Sequence, residues 1–310
     1  MNEIKTAAII GAGALGLMYA GMMKEKLGDN CFFLSDNNRC EKIRNSSFSI
    51  NGAPRRFHAA TPSDMESGAE KKPDLILISV KNHHLEDISP LVESAVHEDT
   101  IIISVLNGIE SENFLRRRFP GAVVVSTVAV GMDAVKEETA LNYTSAGKLL
   151  IGIEDADESH HALKSLEGLF KSCNMAYEIP SDIQRALWWK WMINIGVNQV
   201  SAVTGANYGV FHTQRDIQEL MEWAMQETID VAKAAGVDLR DDDIENWYPI
   251  LRSLGAENKT SMLQDIEARR KTEVEAFSGK LISTAEEHGV DVPVNRILFR
   301  IISTKELLYS

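Results

Sequence analysis

The chain has 310 residues, 44% of them apolar and 25% charged, which is ample core material and more length than one typical domain. Its net charge of −13 argues against a broad basic face for nucleic acid or anionic lipid. No apolar stretch reaches the ~18 uncharged residues of a membrane span, and Cys31, Cys40 and Cys173 are too sparse and scattered for a disulfide framework or a metal site.

The N-terminus enters a strand-like run without a basic and apolar leader, so the chain reads as cytoplasmic. Thr6 to Ile10 is that first predicted strand, and it runs into Gly11-Ala12-Gly13-Ala14-Leu15-Gly16 and then a helical stretch. This is G-x-G-x-x-G in the strand-to-helix setting of a dinucleotide fingerprint. Gly11 allows the tight turn, Gly13 the close approach of a pyrophosphate, and Gly16 the packing of helix on strand. Cys31 to Ser35 is the second strand, with Asp36 at its end. An acidic residue about 20 positions beyond the last glycine can accept from the ribose 2′-hydroxyl of NAD. A carboxylate there repels a 2′-phosphate, although Arg39 lies close enough to receive one; a helix-cap or turn role is the structural alternative for Asp36.

Phe48 to Ile50 before Asn51-Gly52 suggests a hairpin, with Arg56 to Ala60 as its return. Asp74 to Val80, Thr100 to Leu106 and Ala122 to Val130 are continuous apolar runs, as expected of parallel strands covered on both faces. Helical patterns such as Leu85 to Val96 lie between them, which implies a doubly wound, mostly parallel sheet. Ligands of such sheets bind beyond the carboxyl ends of the strands, where Lys81, Asn107 and Gly108 fall. Leu141 to Ile153 has weak strand character and is expected to complete the sheet antiparallel; a helix at His160 to Cys173 and a short strand at Ala176 to Ile179 follow.

The domain boundary is placed at Pro180, giving domains 1–179 and 180–310, with a capping box from Ser181 to Gln184. Beyond it strand patterns vanish, so the second domain is all-α. In Ala186 to Val203 the sequence is apolar around nearly the whole helical circumference, yet Lys190, Asn194 and Asn198 recur at steps of four. Each step advances about 40° on a helix, so the three form one polar stripe. Burying them without partners costs several kcal/mol; the stripe therefore lines a polar site or belongs to a buried hydrogen-bond network. Helical pattern resumes at Ile217 to Ala235 and Asp241 to Leu251. Next, Ser261, Asp265, Arg269 and Glu273 make a second stripe at steps of four, with Asp265 and Arg269 readable as an ion pair. Gly279, farther along, allows close packing.

Taken together these residues resemble the ketopantoate reductases (2-dehydropantoate 2-reductases), over most of the chain. The resemblance is carried by Gly11, Gly13 and Gly16, by Lys81, by Asn107-Gly108, by Lys190, Asn194 and Asn198 in LWWKWMINIGVN, and most specifically by SMLQDIEARRKTEVEAFSG with Ser261, Asp265, Glu273 and Gly279. It implies a Rossmann domain and a helical domain with the active site in the cleft between them. It also implies reduction of the 2-dehydropantoate ketone to pantoate, in pantothenate and coenzyme A synthesis, usually with NADPH. By the same resemblance Lys190 is the catalytic proton donor and Glu273 the catalytic-site glutamate. Asn107, Asn194, Asn198 and Ser261 become substrate contacts, while Gly11, Gly13, Ala14, Leu15, Gly16, Asp36, Lys81 and Asn107 form the cofactor side. Members using NADPH commonly carry a basic residue where this chain has Asp36, which leans towards NADH, and His84 stands where Gln is frequent. Two other readings keep the scaffold: reduction of another branched or aromatic 2-keto acid, and a non-catalytic NAD(P)H-binding regulator. Homodimerisation is expected by fold-level analogy.

Overall fold

The computed structural model describes residues 3–153 and 160–309. The chain forms two compact units, Met1–Leu106 with Glu110–Ile183 and Asn107–Ile109 with Gln184–Ser310.

The first unit begins with β1 (Ala7–Ile10), α1 (Ala14–Leu27), β2 (Cys31–Leu34), α2 (Asn37–Asn45), β3 (Phe48–Ile50), β4 (Ala53–Arg55), β5 (His58–Ala60), α3 (Pro62–Glu66) and β6 (Leu75–Ile78). It continues with α4 (Ser89–Ala95), β7 (Ile101–Ser104), α5 (Ser111–Arg118), β8 (Val123–Met132), β9 (Val135–Glu137), β10 (Ala140–Asn142), β11 (Ala146–Gly152), α6 (His160–Ser172) and β12 (Tyr177–Glu178). The main sheet has the order β12-β11-β8-β7-β6-β1-β2-β5. Within it only β8 and β11 pair antiparallel. Its strands read as unbroken apolar runs because both faces are covered. Ala7, Ile9, Phe33, Leu77 and Ile103 pack in one core, while Ala8, Ile10, Phe32, Ile78 and Ile102 pack in the other.

The hairpin is tighter than the sequence suggested. Asn51 and Gly52 both take positive φ, +48° and +81°, the backbone of a two-residue turn matched to strand twist. That turn returns the chain at once, so Ile50 pairs with Ala53 and β4 is the partner of β3. The expected return segment instead supplies β5, parallel to β2 in the main sheet. The hairpin joins β10 and β9 in a small second sheet.

The second unit is helical: α7 (Ile183–Ile193), a first π turn (Asn194–Asn198), α8 (Gln199–Thr204), α9 (Tyr208–Thr213), α10 (Arg215–Ala234), α11 (Asp242–Ser253), α12 (Ser261–Glu267), a second π turn (Glu275–Gly279), α13 (Lys280–His288) and α14 (Pro293–Leu307). The helix starts at Ile183, one residue later than a cap at Ser181 implies. Its core gathers Trp191, Ile195, Phe211, Met221, Met225, Phe277 and Leu281. Among the described residues no helix is long and apolar enough to cross a membrane.

Candidate active site

In the first unit the glycine loop is shaped by contacts that exclude side chains. Gly11 has φ +104°, and a Cβ there would lie 2.7 Å from the Ser79 carbonyl oxygen. A Cβ on Gly16 would lie 2.0 Å from the Gly11 carbonyl oxygen and 2.3 Å from Ser79 Oγ. Ser79, just beyond β6, donates from Oγ to the Gly11 carbonyl at 2.8 Å and so ties the loop to the strand end. Gly13 is different: an added Cβ meets only the Ser79 carbonyl oxygen, at 3.9 Å. It precedes α1 with no side-chain cap. The first-turn N–H groups at Ala14, Leu15 and Gly16 thus stand at the positive end of a 14-residue helix, with room for an anion to approach. A dinucleotide pyrophosphate fits this cradle.

Asp36 lies two residues beyond β2, as the N-cap of α2. Its Oδ1 accepts from the Arg39 N–H at 2.9 Å, and its Oδ2 lies 3.6 Å from Arg39 Nε. Both side chains are exposed, so the structural alternative for Asp36 is realised while its carboxylate stays accessible. Lys81 is half-buried three residues beyond β6 and leads into a short 3₁₀ turn at Asn82–His84. His84 meets Asp87, with Nδ1 3.0 Å from Oδ2.

The second unit brings Lys190, Asn194, Asn198, Glu273 and Asn107 together. Lys190 lies on α7 and both asparagines in the first π turn. A π turn takes more residues than an α turn, so the step from Asn194 to Asn198 falls short of a full turn where an α step overshoots. The π turn thereby straightens the stripe. Asn198 Nδ2 donates to Asn194 Oδ1 at 3.3 Å, Asn194 Nδ2 to Asn107 Oδ1 at 3.4 Å, and Asn107 Nδ2 to Glu273 Oε2 at 3.0 Å. Asn194 and Asn198 are each 6% exposed, and these partners offset the cost of burying them. Burial pushes the Lys190 ammonium from 10.5 down to about 8, opposed by the Glu273 carboxylate.

The second sequence stripe is not one helical face. α12 ends at Glu267, and Arg269 takes φ +51°, which breaks the helix before Glu273. Asp265 therefore pairs with Arg270 and not with Arg269: Arg270 Nε reaches Asp265 Oδ1 at 2.9 Å, and the Arg270 N–H donates to the Asp265 carbonyl at 2.8 Å. Ser261 is the first residue of α12, exposed, and no described hydrogen bond joins it to the Lys190 cluster. The Trp side chains are mostly core. Trp191 is fully buried and Trp188 packs edge-on against it, with ring centroids 5.2 Å apart. Sequence reasoning also missed Gln199, Ser278 and Asn295, all wholly buried polar residues behind the cluster. Their only sequence signal is a polar residue inside an apolar helical run.

Comparison with known proteins covers both units. The family model described as ketopantoate reductase PanE/ApbA matches residues 7–155, and that of its C-terminal part matches residues 182–306. Over 96% of both chains, 26% of residues are identical to a 2-dehydropantoate 2-reductase of Aquifex aeolicus. The corresponding protein of Pyrococcus horikoshii is 24% identical over 97% of both chains. Among solved structures, a dimeric ketopantoate reductase from Staphylococcus aureus superposes with a TM-score of 0.83 at 22% identity, over 98% of this chain and 100% of that one. A D-mandelate dehydrogenase complexed with NADH and anilino(oxo)acetate gives 0.87 at 20% identity, over 98% and 99%.

Proposed function

We propose, from the premise that the chain belongs to the ketopantoate reductase family, that it reduces 2-dehydropantoate to pantoate with a nicotinamide nucleotide, as a step towards pantothenate and coenzyme A. The observation that carries this reading is the half-buried Lys190 beside Glu273 within a row of asparagines. The glycine loop, with Gly11, Gly13 and the first-turn N–H groups of Ala14, Leu15 and Gly16, takes the pyrophosphate. Asp36 is assigned to the ribose, and Lys81 and Asn107 are assigned as further cofactor contacts. When bound, the reduced nicotinamide supplies the hydride that adds to the ketone carbon.

This chain's residues manage the charge and the proton. The Lys190 ammonium donates a hydrogen bond to the ketone oxygen and stabilises the negative charge growing there. As the alkoxide forms, Lys190 gives it a proton from Nζ, leaving a neutral amine and the 2-hydroxy acid. A group near 8 suits the role: still mostly protonated at neutral pH, and a readier acid than an ordinary lysine. Glu273 favours the charged lysine against burial, and Asn107 orients Glu273 by donating to Oε2. Asn194, Asn198 and Ser261 offer donors and acceptors without charge, which suits a hydroxylated carboxylate substrate. By analogy with the dimeric relative, we extend the reading to a homodimer.

The accessible Asp36 carboxylate supports a second reading, an NADH-dependent reductase of an aromatic 2-keto acid. Burial of Trp188 and Trp191 removes two of the aromatic side chains that could have lined such a pocket. Initial rates with 2-dehydropantoate and with benzoylformate, each with NADH and NADPH, test both. Faster turnover of 2-dehydropantoate is expected; preference for benzoylformate would replace the first reading with the second. Tight cofactor binding without turnover of either would leave the regulator.

A further inference from the structure

The two π turns of the second unit are joined by side-chain bonds that the reaction chemistry does not use. Trp191, next to Lys190, donates from Nε1 to the Ala276 carbonyl in the second π turn at 2.9 Å. Gln199 directly follows the first π turn. Its Nε2 donates to the Ile195 carbonyl inside that turn at 2.8 Å and to Asn295 Oδ1 at 3.2 Å. Its Oε1 accepts from Ser278 Oγ, in the second turn. Asn295 Nδ2 donates to Glu227 Oε2 at 2.8 Å and to the Ala224 carbonyl at 3.1 Å, both on α10. Glu227 in turn accepts the Val294 and Asn295 N–H groups at the start of α14, at 2.7 and 2.9 Å.

Each amide in this network spends both donors and its oxygen, so each has one orientation that satisfies it. A fully satisfied buried network specifies one packing arrangement. Gly196 helps seat the first turn on α10, since a Cβ there would lie 2.6 Å from Met225 Cγ. The Phe277 N–H donates to the Glu273 carbonyl at 3.2 Å, so the second turn carries Glu273 with it.

We propose that Trp191, Gln199, Ser278 and Asn295 are positioning residues, two cross-ties that hold the turn carrying Glu273 against the helix carrying Lys190 and so fix the separation of these two groups. The inference rests on the reductase reading for its catalytic meaning but not for its geometry. Among the charged groups on these packed elements, Glu273 acts on Lys190, Arg185 of α7 pairs with Asp243, Lys305 of α14 donates to the Ala202 and Val203 carbonyls of α8, Glu227 is occupied at the start of α14, and Glu275 is exposed. Loosening either tie lets Glu273 withdraw. The lysine then loses the charge that favours its protonated form and titrates at lower pH.

The test uses Ser278→Ala and Trp191→Phe in the full chain. Lys190 is titrated by competitive acetylation with acetic anhydride, read by mass spectrometry, alongside the pH dependence of kcat. The expected result is a Lys190 titration, and an alkaline limb of kcat, lower by about half a pH unit or more. A folded variant that labels Lys190 with the parent's titration would overturn the proposal. So would an upward shift, as water entry alone would give, or a loss of kcat by one factor at every pH. If one substitution prevents folding, the other carries the test. If the parent turns over no 2-keto acid, the acetylation arm still reads the geometry, and only the reductase reading fails.

Discussion

The proposed nucleotide cradle and the lysine cluster are built from opposite materials. The cradle is backbone from six consecutive residues, and its shape depends on side chains being absent: Gly11 and Gly16 press against Ser79 and each other where no Cβ fits. The cluster is made entirely of side chains. Asn107, Lys190, Asn194, Asn198 and Glu273 come from three separate stretches and are held by hydrogen bonds between groups up to 166 positions apart. The cradle can therefore be damaged by adding atoms, and the cluster by removing them.

Lys190→Ala gives the largest separation of the two. It removes the proposed proton donor and leaves the glycine loop untouched, so kcat should fall ~10²–10⁴-fold while fluorescence titration finds cofactor affinity little changed. Activity within tenfold of the parent would remove Lys190 from the chemistry. Two alanine substitutions then probe the cradle by adding one methyl each. At Gly16 the new Cβ is forced onto the Gly11 carbonyl, and overpacking of this kind costs about 1–3 kcal/mol, so Tm should drop and the nucleotide be lost with it. At Gly13 the same methyl has space in the free protein. Thermal stability should hold while cofactor affinity falls, by roughly tenfold if the methyl displaces the nucleotide by one good contact. Equal melting losses at both positions would show that Gly13 is structural too.

This contrast also decides how much the sequence discloses. The cradle is contiguous, so its spacing is its structure, and the strands beside it are legible because burial on both faces makes them continuous apolar runs. The stripe of Lys190, Asn194 and Asn198 is legible because four-residue steps keep one helical face. What joins the cluster across the unit is not. Nothing local to Trp191 announces a bond to Ala276, nor anything near Gln199 a bond to Ser278. A strand end marked Asn107 and a period-four stripe marked Glu273, but only family resemblance joined them to Lys190. The second stripe misled for a specific reason: a period-four pattern assumes an unbroken helix, and one left-handed residue ends it. The hairpin misled because a two-residue turn leaves so short a return strand, with Pro54 at its centre.

Inside the cluster, Glu273→Gln asks whether charge, and not shape alone, sets the lysine. Burial lowers Lys190 to about 8 despite the raising effect of Glu273. Removing that charge lowers it further, so the form able to donate a proton is lost earlier as pH rises. The alkaline limb of kcat should move to lower pH by roughly one unit, with a fold-loss that is small at pH 6 and grows towards about tenfold above pH 8. An unmoved limb would mean that Glu273 acts on the substrate and not on Lys190.

The smallest expected effect concerns Arg269, the residue that divides α12 from Glu273. At φ +51° a residue with a Cβ pays about 1–2 kcal/mol, whereas glycine adopts this conformation freely but loses roughly 0.5–1 kcal/mol more chain entropy on folding. The difference favours Arg269→Gly by about 0.5–1 kcal/mol, a rise in Tm of about 2 °C for a chain of this size. Arg269→Ala keeps the Cβ and should gain nothing, which makes it the control. Equal gains from both would trace the effect to loss of the guanidinium. A gain from glycine alone would locate the strain in the backbone, at the break that carries the chain from Asp265 to Glu273.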